Sequence, residues 1–347
     1  MINYKLAPYV TVGFEKETLF IGFGSIQMKI NENINVYIEL LLFLKNSITQ
    51  EEIYNFLSKY STCINADNIV HSLFSHNLLI EDGIYDRNDR YSRQKLYMNM
   101  NGINPKEGQD KLNSKHIVIL GCGGIGNLVS VSLVCSGIGK VTLVDTDTIE
   151  ESNLTRQYMF KEDDINDNKI DVLERELKLR NSKIIINKIN LEIKNKSDLY
   201  NLPKSDLIVL SADKPWALVD WVNEFSIEKD TPYINIGYVQ DIATWGPFVI
   251  PGKTACLHCQ DLFAETELND ASISDKISKI NIGYQAPSTG TVNMLAASSA
   301  CIDIMKYFLN IDSITSLNKR IGIWTHDFHI ETQNCQKNSS CKTCGKI

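Results

Sequence analysis

The first 85 residues carry short stretches in which apolar and polar positions alternate, followed by stretches with helical spacing. Alternation with a period of two predicts strands, and apolar residues three and four apart predict amphipathic helices. The predicted strands are 9–12, 18–21, 26–30 and 78–80, and the predicted helices are 36–44, 50–59 and 65–76. This order predicts a winged-helix module over residues 1–85. The alternative is an appendage that serves only dimerisation or packing.

The pattern changes at residue 116, after a polar and charged linker with helical character over residues 86–112. Apolar strands then alternate with helical segments, which is typical of a parallel sheet covered on both faces. The predicted strands are 116–120, 141–145, 184–189, 207–210 and 233–236, then 242–249, 321–325 and 328–332, with an apolar helix over 292–309. The last three strands lack helices between neighbours, so we expect antiparallel additions. The predicted fold class is α/β: a Rossmann-like doubly wound sheet, parallel and then antiparallel, over residues 86–347.

Composition and charge narrow the function classes and the location. The formal net charge of -7 argues against nucleic acid as the main partner, because phosphate binding needs a basic face. No run of about 18 apolar residues is present to span a membrane. The first ten residues lack the charged and then apolar pattern of a secretory signal. Nine cysteines, including two CxxC pairs, fit a reducing compartment, so we expect a cytoplasmic protein.

Residues 121–126, GCGGIG, fit the motif GxGxxG and lie between a predicted strand and a predicted helix, as the motif requires. Glycine allows a tight turn and lets phosphate oxygens approach the N–H groups at the start of a helix. Asp145, at the end of the next strand, would hydrogen-bond a ribose hydroxyl. The glycines concerned are Gly121, Gly123, Gly124 and Gly126. At this point NAD, FAD and ATP are all compatible with the motif.

The charged residues behind the motif favour nucleotidyl transfer over hydride transfer. Arg156, within residues 145–157 (DTDTIEESNLTRQ), and Lys169 supply cations that can stabilise charge developing on phosphates and departing pyrophosphate. Asp213 follows another predicted strand at the same edge of the sheet and could hold Mg²⁺. Each charge alone would ordinarily belong to a solvated surface or a surface ion pair. Their convergence at strand ends predicts a nucleotide site.

The run DxDxIxxSNLxRQ behind GCGGIG resembles the ubiquitin-activating-enzyme superfamily, which includes the ThiF, MoeB and HesA adenylyltransferases. The resemblance extends from about residue 88 to the C-terminus. It implies that ATP is held by the glycine loop and by a further set of residues. These are Asp145, Asp147, Asn153, Arg156 and Lys169. It also implies that Asp213 positions Mg²⁺ and that Arg93 reaches into a partner subunit's ATP site, which predicts a homodimer with composite active sites.

Two CxxC pairs, Cys256 with Cys259 and Cys341 with Cys344, stand far apart in the sequence. Each pair can present two thiolates to one ion, and two pairs complete a tetrahedral structural zinc site. The superfamily resemblance supports this, because its members close a zinc site with such distant pairs. Redox-active dithiols are the alternative, but neither pair has a thioredoxin-like strand-helix context. His258, inside the first pair, is expected to be a spacer.

Many members of the superfamily pass the activated acyl group to a cysteine that follows the first CxxC pair. Residues 261–291 contain no cysteine. Cys301 lies in the predicted apolar helix, and Cys122 and Cys135 are interpreted as packing residues, since free cysteine behaves as a small hydrophobe. A thioester relay is therefore not expected.

A closer resemblance covers nearly the whole chain. Residues 211–215 (SADKP), 232–243 (PYINIGYVQDIA) and 317–324 (LNKRIGIW) resemble the MccB-type enzymes of microcin C maturation. The resemblance implies adenylylation of the C-terminal asparagine carboxylate of a short ribosomal peptide, cyclisation to a succinimide, and use of a second ATP to give an AMP-peptide. It implies that the N-terminal module binds the precursor peptide. An extended peptide would add to the strand near residues 18–30 and lie against the helix 65–76.

Three other functions remain open at this stage. A pantocin-type enzyme of similar architecture would activate internal glutamate side chains of a precursor peptide, leading to a crosslinked bicyclic core. A sulfur-carrier adenylyltransferase would act on a Gly-Gly C-terminus and would not need the N-terminal module. A nucleotide-binding module without catalysis would not need the cations and Asp213. The loop 265–285 is expected to cover the peptide, with Lys276, Lys279 and Tyr284 as candidate contacts.

Overall fold

The computed structural model describes residues 2–260, 271–283 and 286–345. Its contacts divide the chain into two compact units, Met1–Lys111 and Leu112–Ile347. Each unit is described by itself below. Tyr284 and all of residues 261–270 lie outside the described residues, whereas Lys276 and Lys279 are exposed residues of a helix.

The first unit contains two small antiparallel sheets and a set of short helices. Its elements are β1 (Asn3–Leu6), β2 (Val12–Glu15), β3 (Thr18–Ile21), β4 (Met28–Ile30), α1 (Ile34–Phe43), β5 (Ile48–Thr49), α2 (Gln50–Ser58), α3 (Ala66–Ser75), β6 (Leu79–Glu81), α4 (Ser92–Met100) and α5 (Pro105–Ser114), in which the division falls. The sheet orders are β5-β1-β6 and β2-β3-β4. The three predicted helices are confirmed within a residue or two at each end.

Local sequence signals explain why the start of α2 was predicted correctly and why the strand over residues 9–12 was not. Thr49 begins α2 through a reciprocal capping box: its hydroxyl accepts from the Glu52 N–H at 3.2 Å and its N–H donates to the Glu52 carboxylate at 2.7 Å. The strand predicted over residues 9–12 is wrong, because Pro8 and Tyr9 form a turn and β2 begins at Val12. The Tyr9 hydroxyl accepts from the Asn99 amide at 2.7 Å, which ties this segment to α4. The strands β1 and β5 were not predicted.

The helix α4 belongs to the first unit. Leu96 packs in one buried cluster with Ala7 and Ile80, and the Asn99 amide donates to the Leu79 carbonyl at 3.0 Å. The compact unit therefore extends beyond residue 85. The assignment of residues 1–85 to peptide recognition as a winged-helix module stays a prediction.

The second unit is a single eight-stranded sheet with helices. Its elements are β7 (His116–Leu120), α6 (Gly124–Cys135), β8 (Lys140–Val144), α7 (Lys169–Arg180), β9 (Ile185–Ile189), β10 (Leu207–Leu210), α8 (Leu218–Lys229), β11 (Tyr233–Val239), β12 (Ile242–Val249), α9 (Ala271–Ile280), α10 (Gly290–Leu309), β13 (Lys319–Trp324) and β14 (Ile330–Asn334). The order is β14-β13-β12-β11-β10-β7-β8-β9. The five neighbouring strands β11-β10-β7-β8-β9 pair in parallel, and β12, β13 and β14 extend the sheet from β11 in antiparallel pairs. The predicted fold class is therefore confirmed.

Helices cover both faces of this sheet. Val118 and Ile208 pack in one cluster with Val222 of α8, whereas Ile117 and Ile119 point to the opposite face and are equally buried. The helix α6 packs against both α7 and α10, and α10 also contacts β11 and β12. The crossovers from β7 to β8 and from β10 to β11 run in opposite directions along the sheet, so right-handed connections put α6 and α8 on opposite faces. Among the residues that the structure describes, no helix combines the length and hydrophobicity needed to cross a bilayer.

The chain order places a crevice beside β7. From β7 the chain crosses to β8 on one side, and after β9 it returns to β10 on the other side of β7. Open α/β sheets bind ligands at such a switch point, beyond the carboxyl ends of the strands. The motif of residues 121–126 begins directly where β7 ends.

Candidate active site

The glycine motif forms a turn in which Gly121 and Gly126 have no room for a side chain. Gly121 has a φ of +89°, and a Cβ there would lie 2.8 Å from the Ala212 nitrogen, just beyond β10. A Cβ on Gly126 would lie only 1.9 Å from the Gly121 carbonyl oxygen. The Ser211 hydroxyl donates to the same carbonyl at 2.8 Å. The turn is therefore held directly against the first turn of α6 and against the segment that leads to Asp213.

Asp145 fixes the other side of this turn. One carboxylate oxygen accepts from the Cys122 N–H at 2.6 Å, and the other accepts from the Asp147 N–H at 2.8 Å. The Gly121 N–H donates to the Val144 carbonyl at 3.0 Å, which continues the link between β7 and β8. Because each carboxylate oxygen has a further lone pair, Asp145 can hold the loop and still accept from ribose hydroxyls.

Lys169 and Asp147 form an ion pair across this edge of the sheet. The Lys169 Nζ lies 2.7 Å from the Asp147 carboxylate, with side chains 7% and 64% exposed, respectively. The Lys169 N–H also donates to the Asp147 carbonyl at 3.0 Å, at the start of α7. The ammonium group has three donors, so the pair leaves donors for a further anionic partner.

Asn153 and Arg156 lie in the turn region between Asp147 and Lys169. The Asn153 side-chain oxygen accepts from the Glu150 N–H at 3.2 Å, and its backbone carbonyl accepts from the Arg156 N–H at 3.0 Å. The Arg156 guanidinium donates to the Ser152 carbonyl at 2.9 Å. Its Cγ would lie 3.5 Å from a Cβ on Gly124, so the Arg156 stem lies against the start of α6.

The structure thus brings most of the predicted nucleotide residues to one edge. The four glycines, Asp145, Asp147, Asn153, Arg156 and Lys169 are joined by the contacts above, and Asp213 follows β10 as an exposed residue beside the loop. Arg93 is an exposed residue of α4 in the first unit. Its predicted reach into a partner subunit, like the role of each residue named here, stays a prediction.

Two buried amide residues at this edge were not assigned from the sequence. Gln157 and Asn293 are almost fully buried, and each has a side-chain atom without a hydrogen-bond partner among the described residues. Gln157 is the last letter of the motif that carries the family resemblance, so a signal for it was present. For Asn293 the only signal was a polar residue in the first turn of an apolar helix.

The four CxxC cysteines meet in one buried cluster, with all their sulfur atoms within 4.8 Å of one another. Three of the Sγ–Sγ distances are 3.6, 3.9 and 3.4 Å. A disulfide needs about 2.05 Å, so these thiols are not paired covalently. Zinc bound tetrahedrally at about 2.3 Å from each thiolate would place the sulfurs about 3.8 Å apart. The cluster of Cys256, Cys259, Cys341 and Cys344 therefore fits the predicted zinc site.

His258 is held away from the metal position. One ring nitrogen lies 2.8 Å from the Thr343 hydroxyl and the other lies 2.9 Å from the Asp220 carboxylate. The ring thus joins the two CxxC segments to α8 and has no nitrogen left for a ligand bond. Its interpretation as a spacer agrees with these contacts.

The cysteines near the site are unsuited to acyl transfer. Burial raises the pKa of the Cys122 thiol well above its usual range and raises the pKa of Cys301 to about 12. A nucleophilic cysteine must be a thiolate, so both thiols are unreactive at neutral pH. Cys135, interpreted from the sequence as a packing residue, is exposed instead, and the expectation that no relay cysteine operates stays a prediction.

Comparison with known proteins identifies the family. Residues 91–343 match the model of the ThiF family. The chain belongs to this family. This chain is 37% identical to Escherichia coli MccB solved with ATP. The match covers 99% of this chain and 100% of the MccB chain, with a TM-score of 0.88. It is also 37% identical, over 99% and 100%, to the microcin C7 biosynthetic enzyme MccB in complex with N-formylated MccA, with a TM-score of 0.91.

The family also includes curated relatives that match over a shorter part. The sulfur carrier protein ThiS adenylyltransferase of Bacillus subtilis is 32% identical over 174 residues. That match spans 49% of this chain and 49% of the Bacillus protein, so the chain covers about half the length of this relative. The sequence-based resemblance to ThiF-type proteins and to MccB is therefore confirmed.

Proposed function

We propose that this chain uses ATP to adenylylate a carboxylate on a ribosomally made precursor peptide. The observation that carries the proposal is the glycine turn at the switch point beside β7. The half-buried start of α6 lies against the stem of Arg156, and Lys169 and the exposed carboxylate Asp213 belong to the same edge of the sheet. Helix N-termini flanked by cations bind phosphates, and a hydride-transfer site has no use for the cations.

The reaction needs charge stabilisation more than covalent help from the protein. A carboxylate oxygen attacks the α-phosphorus of ATP, a new O–P bond forms, and the bond to pyrophosphate breaks with its electron pair on the leaving group. Lys169 and Arg156 stabilise the negative charge that develops on the departing pyrophosphate. In this proposal Asp213 holds Mg²⁺, which would supply further positive charge when bound.

The first unit supplies the proposed peptide site. MccB has been solved with the peptide MccA, and this chain matches MccB over its full length, including the first unit. Peptides often bind by adding a strand to an open sheet edge. Of the two strands in the expected pairing region 18–30, only β4 has an open edge in this sheet, because β3 lies between β2 and β4.

Within the β2-β3-β4 sheet, the candidate edges are therefore β2 and β4. We favour β2, since its four residues are all exposed and include Phe14, whose side chain is 64% exposed. An exposed apolar edge strand is a template for another chain, and an aromatic anchor suits peptide recognition. Phe14→Ala is expected to weaken peptide binding while ATP binding is unchanged.

The carboxylate of the microcin C type, a C-terminal asparagine that ends as an AMP-peptide, is our preferred substrate. The full-length match to MccB favours it over a sulfur-carrier Gly-Gly terminus, because the sulfur-carrier relative matches over about half the chain. Activation of internal glutamates, as in pantocin-type crosslinking, uses the same first step. Only the product distinguishes that reaction from the microcin C type.

Mass spectrometry of precursor peptides incubated with the chain, ATP and Mg²⁺ tests the proposal. A gain of a nucleotidyl mass supports the microcin type, and a loss of water and carbon dioxide supports the crosslinking type. Adenylylation of a Gly-Gly carrier alone would favour the sulfur-carrier function. No ATP consumption with any of these substrates would refute the proposal.

Two variants test the division of labour between the units. Asp213→Ala is expected to abolish turnover and leave peptide binding intact, whereas Phe14→Ala should weaken peptide binding and leave turnover at saturating peptide unchanged. If peptide binding vanished in Asp213→Ala, the assignment of the peptide site to the first unit would be wrong. In the proposed homodimer, mixing Arg93→Ala with Lys169→Ala chains should restore part of the activity, because one composite site would then be intact.

A further inference from the structure

Asn293, in the first turn of α10, is a fully buried amide with an unused donor. Its Nδ2 has no hydrogen-bond partner among the described residues. Its Oδ1 accepts from the Ser288 hydroxyl at 3.2 Å, which sets the orientation of the amide. Buried donors are nearly always paired, because an unpaired one destabilises the folded chain. Asn127 and Asn223 also carry an Nδ2 without a partner among the described residues, so it is the position of Asn293 beside the glycine loop that sets it apart.

The donor faces the glycine loop. A Cβ on Gly124 would lie 2.2 Å from the Asn293 Nδ2 and 3.5 Å from the Arg156 Cγ. Gly124 is the first residue of α6, where backbone N–H groups lack partners within the helix. The amide of Asn293 and the stem of Arg156 thus flank the point at which the proposed phosphate site begins.

The start of α10 is also packed on the segment that carries Arg156. A Cβ on Gly290 would lie 1.9 Å from the Tyr158 hydroxyl oxygen and 3.0 Å from the Thr155 carbonyl. Gln157, in the same segment, is buried, and its Nε2 lies 3.8 Å from a Cβ built on Gly123. The first turn of α10 therefore supports the glycine loop and its neighbouring cation together.

We propose that Asn293 is a positioning residue of the nucleotide site, an inference that rests on the proposed function. Its amide turns the positive end of its dipole toward the start of α6, where it adds to the potential that favours phosphate. A fixed, unpaired donor is a preorganised one, since no hydrogen bond must break before an anion is stabilised.

Isothermal titration of the full chain with ATP, and separately with adenosine, tests this without any peptide substrate. Asn293→Leu keeps the number of side-chain heavy atoms and their branching and removes the dipole, so ATP affinity should fall about tenfold. Adenosine affinity should stay unchanged, because adenosine carries no phosphate. Asn293→Asp places a negative charge at the same point and should weaken ATP binding more than Asn293→Leu. Met294→Ala, an exposed neighbour on α10, is the matched control and should bind ATP normally.

Thermal unfolding separates this role from simple packing. Asn293→Leu removes a buried unpaired donor, so its melting temperature should equal or exceed that of the unaltered chain. The inference is overturned if Asn293→Leu binds ATP as tightly as the unaltered chain, or if adenosine binding falls as much as ATP binding.

A second variant keeps the test decisive if the substitutions at Asn293 do not fold. Ser288→Ala releases the amide from its set orientation and should weaken ATP binding in the same direction, again with adenosine binding unchanged. Unchanged ATP binding in Ser288→Ala would then overturn the inference. Failure of the unaltered chain to bind ATP would instead overturn the proposed function and this inference with it.

Discussion

The carboxyl edge of the large sheet and the cysteine cluster both gather polar groups in the second unit, but the surroundings of those groups differ. In the cluster the thiols face one another, and both nitrogens of His258 have partners. At the edge Asp213 is exposed, and Gln157 and Asn293 keep unpartnered atoms. Beside the cluster the Nδ2 of Asn223 also lacks a partner among the described residues, so the two regions differ in that the four thiols face one common position whereas Asp213 faces solvent. The first region is therefore expected to govern stability and the second to govern chemistry.

The largest expected effect is on the cluster. Cys341→Ser removes one of the four sulfur ligands, and loss of a structural zinc site should lower the free energy of unfolding by on the order of 5 kcal/mol. Thermal unfolding together with metal analysis measures this, and chelation of the unaltered chain should give the same shift. Cys63→Ser, at an exposed cysteine, is the matched control. Zinc-free protein that melts at the temperature of the unaltered chain would break the comparison.

An intermediate effect is expected at the edge, and on activity rather than stability. Lys169→Met removes the cation paired with Asp147, so the rate of ATP turnover with peptide should fall by about 10²–10³-fold. The melting temperature should change little, because the Asp147 carboxylate it leaves behind remains hydrated. Lys188→Met, which removes an ion pair with Asp171, controls for loss of a charge elsewhere. A large loss of stability with unchanged kcat would show that Lys169 serves the fold.

The smallest effect is expected for the buried cysteine Cys301. Its thiol, with a pKa raised to about 12 by burial, stays protonated at neutral pH and cannot accept the acyl group. Cys301→Ala should therefore keep kcat within about twofold of the unaltered chain. A continuous pyrophosphate assay measures this. Accumulation of the acyl-adenylate with arrested turnover would indicate a cysteine relay after all.

Local chemistry made a large part of this structure predictable from the sequence alone. The turn of residues 121–126 is predictable because its glycines allow the close backbone approach that other residues would block. The boundary at Thr49 follows from its capping box with Glu52. The alternation of apolar strands and helices predicts the parallel sheet, because buried strands and covering helices leave distinct periods. Each CxxC pair likewise has a local geometry that predicts metal ligation.

The tertiary structure alone decided which distant parts meet. The order β2-β3-β4 closes β3 as a pairing edge, although its sequence reads like that of its neighbours. The two CxxC pairs share one site only because the segment before α9 and the C-terminal segment pack beside α8. Asn293 lies beneath Gly124 only because α10 packs on α6. Long-range packing of this kind leaves no periodic pattern in the sequence. The sequence therefore shows which residue types are present, but not which distant residues come into contact.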